Sequence, residues 1–164
     1  MKYLYKRSGL REDVQIPDHF EPEIFTPTIW GGLFLQEEQK SFKLLAVRLL
    51  FQIMTFGRAR VYCWRHKGEL AHTSYVVPKC WKFPFMKKHD FEIGPCLTYS
   101  DFRGRGLYPQ MLKYIVSSVG TEKSVFYMIV DENNAASIKG IEKAGFQRCG
   151  SVRITKALKR YRVE

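Results

Sequence analysis

The stretch Tyr99-Ser100-Asp101-Phe102-Arg103-Gly104-Arg105-Gly106-Leu107-Tyr108 alternates glycine with arginine between an expected strand and an expected helix. Glycines so spaced let a backbone turn tightly with its N–H groups aimed into one concavity. The helix behind contributes unpaired N–H groups and the positive end of its dipole. With the full charges of Arg103 and Arg105, this is a receptor for a phosphate or diphosphate; the alternative is an ordinary strand-to-helix connection. The lysine and Ser/Thr of a nucleoside-triphosphate P-loop are missing, so that chemistry is excluded. A second stretch, Asn134 to Phe146, reads as a helix with Asn134 as N-cap, Ile138 and Ile141 facing the core, and Gly145 as terminator. Nothing in that pattern by itself requires a ligand.

These segments need a scaffold, and the periodicities supply one. Met1 to Arg7 alternates apolar and basic residues as a strand does. Residues 13–32, with Pro17, Pro22, Pro27 and Gly31-Gly32, form an irregular connection without an assignable shape. From about Glu37 to Met54 a helical pattern places Phe42, Leu45, Leu49 and Ile53 on an inner face. Val47, Leu50 and Phe51 widen its apolar side, consistent with a well-buried helix or, in the alternative, a membrane-surface or oligomer contact. Arg60–Trp64 and Ala71–Val77 flank His66-Lys67-Gly68-Glu69 as a hairpin. Residues 79–89 read as an aromatic and basic loop. Phe91 to Thr98 is a strand in which Gly94-Pro95 demands a bulge or break. A helix over Gly106–Ser118 turns Leu107, Met111, Leu112 and Ile115 inward, Ser124–Val130 is a buried strand, and two strands follow Phe146. The order is α/β with a mixed sheet.

Composition narrows the function classes. The chain has 164 residues, the usual size of one domain, and 27 Lys plus Arg against 16 Asp plus Glu give a formal charge of +11. Such a balance favours an anionic partner: nucleic acid, an acidic lipid surface or a phosphorylated small molecule. Cys63, Cys80, Cys96 and Cys149 form no C-x-x-C pair, and His19, His66, His72 and His89 form no helical pair, so neither a metal site nor a disulfide framework is expected. The N-terminus lacks the apolar core of a signal peptide, and Leu44–Phe56 is too short and too interrupted to span a bilayer. A cytoplasmic protein is the expectation.

Taken together, the two segments resemble the GNAT superfamily of acetyl-CoA-dependent N-acyltransferases. Arg103-x-x-Gly106 matches the family's Arg/Gln-x-x-Gly-x-Gly/Ala loop. Asn134-x-x-Ser137, followed by Glu142-Lys143-x-Gly145-Phe146, matches its later helix and the strand after it. The resemblance covers residues 60–150 well and the first 58 poorly. It implies a single domain over 1–164, α/β (α+β) in class, with a mixed, mainly antiparallel central sheet flanked by helices and splayed at its centre. Residues 59–164 would be the cofactor-binding core, and 1–58 a divergent, acceptor-side region.

The resemblance also implies a mechanism. Acetyl-CoA would lie between the strands ending near Thr98 and Val130, its pantetheine against backbone groups of Leu97, Thr98 and Tyr99. Arg103, Gly104, Arg105, Gly106, Leu107 and Tyr108 would hold the diphosphate, and Asn134 and Ser137 would line the pantetheine side. A strand N–H would polarise the thioester carbonyl, and the amine would attack directly. Glu92, eleven residues before Arg103, stands where some family members carry a catalytic glutamate and is the candidate base. His89, Asp90, His72 and Tyr75 are fallbacks.

Two departures stand out. The family often has Tyr seven residues after the asparagine, proposed to protonate the leaving thiolate; here it is Ile141. Tyr99 or Tyr108 would then serve, or CoA would leave as a thiolate. The loop's last small residue is replaced by Tyr108, followed by Pro109, which suits a first helical turn. The implied acceptor is a small-molecule primary amine, with an amino sugar favoured, a protein or peptide amine the second reading and a non-catalytic basic binding module the third. No nucleic-acid motif is recognisable, and the assembly is expected to be a monomer or homodimer. Phe20, Phe25, Trp30, Trp64, Trp81 and Phe85 are core residues or a floor for a flat substrate. Arg153, Lys156, Lys159, Arg160 and Arg162 make a solvated surface or a site for an anionic acceptor.

Overall fold

The computed structural model describes residues 1–9, 13–28, 35, 42–155 and 160–164. Trp30, Lys156, Lys159 and the expected first turn of the helix at 37–41 lie outside them. Among the described residues eight strands form one sheet: β1 (Lys2–Ser8), β2 (Glu21–Phe25), β3 (Arg60–His66), β4 (Glu69–Pro78), β5 (Phe91–Thr98), β6 (Val125–Asp131), β7 (Gln147–Ile154) and β8 (Tyr161–Val163). Their order is β2-β3-β4-β5-β6-β1-β7-β8. Every neighbouring pair is antiparallel except β5 and β6. Three α-helices among the described residues cover the sheet: α1 (Phe42–Thr55), α2 (Leu107–Val119) and α3 (Ala135–Lys143).

Two apolar clusters sit on opposite faces. Leu107, Met111, Leu112 and Ile115 of α2, all buried as the periodicity predicts, pack with Trp64, Ile93, Phe126, Met128 and Ile141. Phe51 of α1 packs with Val61, Cys63, Tyr75, Val77, Phe83 and Met86. Each such large apolar side chain contributes roughly 1.5–3 kcal/mol on burial. Trp64 is fully buried, so it belongs to the core.

The structure departs from the sequence reading in two places. The irregular connection contains strand β2, with Pro22 opposite Trp64. β2 is the outermost strand, where a residue without an N–H is tolerated, so proline did not exclude a strand. The buried face of α1 is also different. Phe42 and Ile53 are 84% and 70% exposed, whereas Arg48, Phe51, Gln52 and Thr55 are buried. A helix apolar almost all round leaves its rotation to specific partners. Arg48 Nε donates to the Tyr75 hydroxyl, and its guanidinium lies 5.5 Å from the ring centroids of Phe25 and of Tyr75. Thr55 Oγ1 accepts from Ala59 N at 3.0 Å and donates to Phe51 O at 2.7 Å, which fixes the helix end.

The hairpin is as read, with Lys67 and Gly68 both at positive φ (49° and 85°), as a two-residue turn between twisted strands requires. Asn134 caps α3 by accepting Ser137 N at 3.1 Å.

The orientation of α1 is testable by denaturant unfolding. Phe51→Ala should cost about 3–5 kcal/mol, and Ile53→Ala no more than about 0.5 kcal/mol. The reverse order would mean that α1 packs on the face read from periodicity.

Candidate functional site

The site begins where the sheet comes apart. β5 and β6 run parallel and pair only at Phe91–Phe126 and Glu92–Tyr127. Beyond Glu92 the strands diverge, which leaves facing backbone groups that no neighbouring strand satisfies. Gly94-Pro95 is a cis peptide. Beside the parting, the pairing of β5 with β4 shifts register between Ser74 and Val76. Ile93 and Cys96 both pack toward α2, although strict alternation would put odd and even positions on opposite faces. One extra residue therefore reverses the phase and turns Cys96 and Thr98 toward the α2 side.

Two cavities follow the gap. The larger, about 540 Å³, is lined by Leu97 and Thr98 of β5, the 103–108 loop, and Asn134, Ser137 and Gly140 on the α3 side. The smaller, about 180 Å³, lies between the diverging strands and includes Gly94, Met128, Val130 and Ile141. Cys96, Tyr108, Asn134 and Ser137 line both, so the two are adjoining parts of one channel.

The loop at its mouth is shaped as a cradle. Gly104 and Gly106 have φ of +77° and +74°, conformations that L side chains rarely adopt. A Cβ built on either meets nothing within 4 Å, so the space above this backbone is open. The first α2 bond runs from Gln110 N to Gly106 O, so the preceding N–H groups lie ahead of the helical ladder. Arg103 Nε donates to Thr98 O at 3.1 Å, and Arg105 donates to Asp101 O at 3.1 Å while lying over Phe102. The two arginines are tied back to their own loop, with their charges along its rim. A third recess of about 420 Å³ adjoins it, lined by Gly104, Arg105, Gly106, Gln110, Lys113 and Lys143. Lys113 belongs to no motif, and Lys143, though part of the later-helix motif, has no sequence signal for this rim; only the fold brings the two together here.

Glu92 is buried, with Oε2 unpartnered among the described residues. Burial raises its carboxyl from the ordinary 4.5 to about 8, against the opposing pull of Lys82 and Lys2. Its Oε1 lies 2.9 Å from where a Gly94 Cβ would stand, so the carboxyl lies against Gly94, a residue of the smaller cavity, while Glu92 itself lines neither cavity.

The fallback bases differ in surroundings. His72 is fully buried, with Nδ1 2.7 Å from Thr98 Oγ1 and Nε2 2.8 Å from Ser74 Oγ. Burial lowers its pKa to about 3, so it is neutral throughout the physiological range. Asp90 accepts Lys87 N at 2.7 Å and Val125 N at 3.2 Å, tying the 79–90 loop to the start of β6. The Tyr75 hydroxyl accepts from Arg48, and His89 is exposed in a turn. Tyr99 lines neither cavity, and its N–H is already bonded to Ala71 O at 3.0 Å. Among the described residues no cluster of three or more His, Cys, Asp or Glu is placed to hold a metal, and no helix is long and apolar enough to cross a membrane.

This arrangement, an open mixed sheet parted at its centre with a glycine-arginine loop at the mouth, is the fold of GNAT acetyltransferases. A GNAT-family acetyltransferase from Colwellia psychrerythraea superposes with a TM-score of 0.62 at 15% identity, over 90% of this chain and 52% of that one. A tandem GNAT protein from the clavulanic acid biosynthesis pathway matches with a TM-score of 0.59 at 17% identity, over 90% and 50%. AAC(6')-Ib in complex with paromomycin and acetyl-CoA matches with a TM-score of 0.57 at 16% identity, over 89% and 91%. The chain thus spans about half the length of the first two and most of the third. No family model and no curated protein matches it.

Because folding favours the protonated form of Glu92, its contribution to stability is greatest below about pH 4.5 and falls as pH rises toward about 8. Glu92→Gln removes that loss. Its unfolding free energy should exceed that of the wild type by a few kcal/mol at pH 8.5, with a much smaller difference at pH 5. An equal effect at both pH values would show that the carboxyl is not desolvated.

Proposed function

We propose that this protein is an acetyl-CoA-dependent N-acetyltransferase acting on a primary amine of a small molecule, with an amino sugar as the favoured acceptor. The observation that carries this reading is the pair of cavities that share Cys96, Tyr108, Asn134 and Ser137 and extend from the glycine-arginine loop to the opened edge of β5. A long, narrow, phosphorylated ligand fits it: the N–H cradle and cationic rim would take the diphosphate, and the parted strands would take the arm. Bound there, acetyl-CoA supplies an activated acyl group.

The chain's own residues then have separable tasks. Gly104 to Tyr108, with Arg103 and Arg105, hold the anionic end, and Lys113 and Lys143 extend the positive rim. The free edge of β5 near Leu97 and Thr98 offers backbone groups to the arm, while Asn134 and Ser137 line its other side. Glu92 accepts the proton that the attacking amine loses. A carboxyl at about 8 suits this role better than one at 4.5, because its conjugate base binds a proton more firmly near neutral pH. The acceptor approaches from the Glu92 face, on which α1 packs. The acceptor class is supported by the AAC(6')-Ib neighbour, solved with paromomycin.

Calorimetric titration with acetyl-CoA should give a Kd in the micromolar range. Ala136→Trp, at an exposed position on the larger cavity, should weaken it at least tenfold without loss of folding. Absence of binding by the folded wild type would refute the reading. With an accepted amine, kcat/KM should rise toward about pH 8, and Glu92→Gln should lower it by about 10²–10⁴-fold.

A further inference from the structure

We propose that the Tyr108 phenol is the hydrogen-bond donor to the sulfur of the thioester cosubstrate, filling the role left open by Ile141. This rests on the acetyl-CoA reading above and goes beyond it by assigning a residue that the family pattern does not supply.

Tyr108 lines both cavities and so stands at the junction between the loop end of the channel and the gap between the strands. Its ring reaches there because position 140 is glycine. A Cβ at Gly140 would lie 2.5 Å from Tyr108 Cδ1, closer than any side chain could be accommodated. Gly140 precedes Ile141, so the phenol packs on the turn of α3 from which the family's tyrosine projects. A tyrosine from the loop thus occupies the neighbourhood of a tyrosine missing from the helix.

The hydroxyl of Tyr108 is directed into the channel wall beside the thiol of Cys96, which also lines both cavities. Behind Cys96, Ser74 Oγ is 2.8 Å from His72 Nε2, and His72 Nδ1 is 2.7 Å from Thr98 Oγ1. The ionisable groups near the phenol are Cys96, Glu92 and His72, whose ring centroid is 5.8 Å from that of Tyr108. Burial and these neighbours hold the phenol pKa far above the ordinary 10, so it retains its proton and acts as a donor.

The step balances without further reagents. As the amine nitrogen bonds to the acyl carbon, the C–S bond breaks and its electron pair stays on sulfur. The amine proton passes to Glu92, and the thiolate departs under the hydrogen bond from Tyr108 Oη, to be protonated by water on release.

The test reads the bound product rather than turnover. The thiol of saturating CoA on the wild type, Tyr108→Phe and Cys96→Ala is titrated by its thiolate ultraviolet absorbance, with the desulfo-CoA complex subtracted. The hydrogen bond favours thiolate, so Tyr108→Phe should raise the pKa of the bound thiol by about 1–2, and Cys96→Ala should leave it unchanged or lower. The same Tyr108→Phe change should lower kcat about 10–100-fold with KM for acetyl-CoA within about twofold. CoA binding with an unchanged thiol pKa in Tyr108→Phe would overturn the proposal, as would an equal rise in Cys96→Ala. Failure of the wild type to bind CoA would overturn it together with the reading on which it rests.

Discussion

The rest of the structure depends on one interrupted pairing. β5 and β6 share two parallel register pairs and then part. A parallel join in an otherwise antiparallel sheet needs a crossover, and the crossover here is the glycine-arginine loop with α2. The element that crosses over the gap is therefore the one that presents N–H groups at its mouth. The register of β5 against β4 shifts beside the parting. An uninterrupted β5 would pair along its length with β6 and close the channel.

Charge is distributed along this channel by burial. The mouth carries exposed or half-buried cations: Arg103, Arg105, Lys113 and Lys143. Far from it, Glu92 is held in a medium that disfavours its charge. Between them lies the neutral file of Thr98, His72, Ser74, Cys96 and Tyr108, in which His72 is kept uncharged by burial. An anion is thus welcomed at one end and a proton at the other, with little net charge between. That division suits a reaction joining a polyanionic donor to an amine.

Much of this was legible in the sequence, because the informative residues act locally. Gly104 and Gly106 take the positive φ that their spacing implied, Asn134 caps its helix, and α2 buries the four residues its periodicity selected. What escaped depended on contacts between distant segments. The rotation of α1 was decided by Arg48 meeting Tyr75 and Phe25, so an apolar count favoured the wrong face. β2 was hidden by Pro22, harmless only because that strand is an edge. The surroundings of Tyr108 escaped because Gly140 has a visible purpose only once the ring lies against it. A glycine inside a helix that gains nothing from one was the available signal.

The central claim is that the parted strands and the glycine-arginine loop form one ligand channel. Amide hydrogen exchange with and without acetyl-CoA tests it most directly, because the groups in question are backbone N–H groups. Slowed exchange should appear at Gly104–Tyr108 and along Cys96–Thr98, with the outer strands β2, β7 and β8 unchanged. Protection confined to other elements, or none at saturating ligand, would contradict the account.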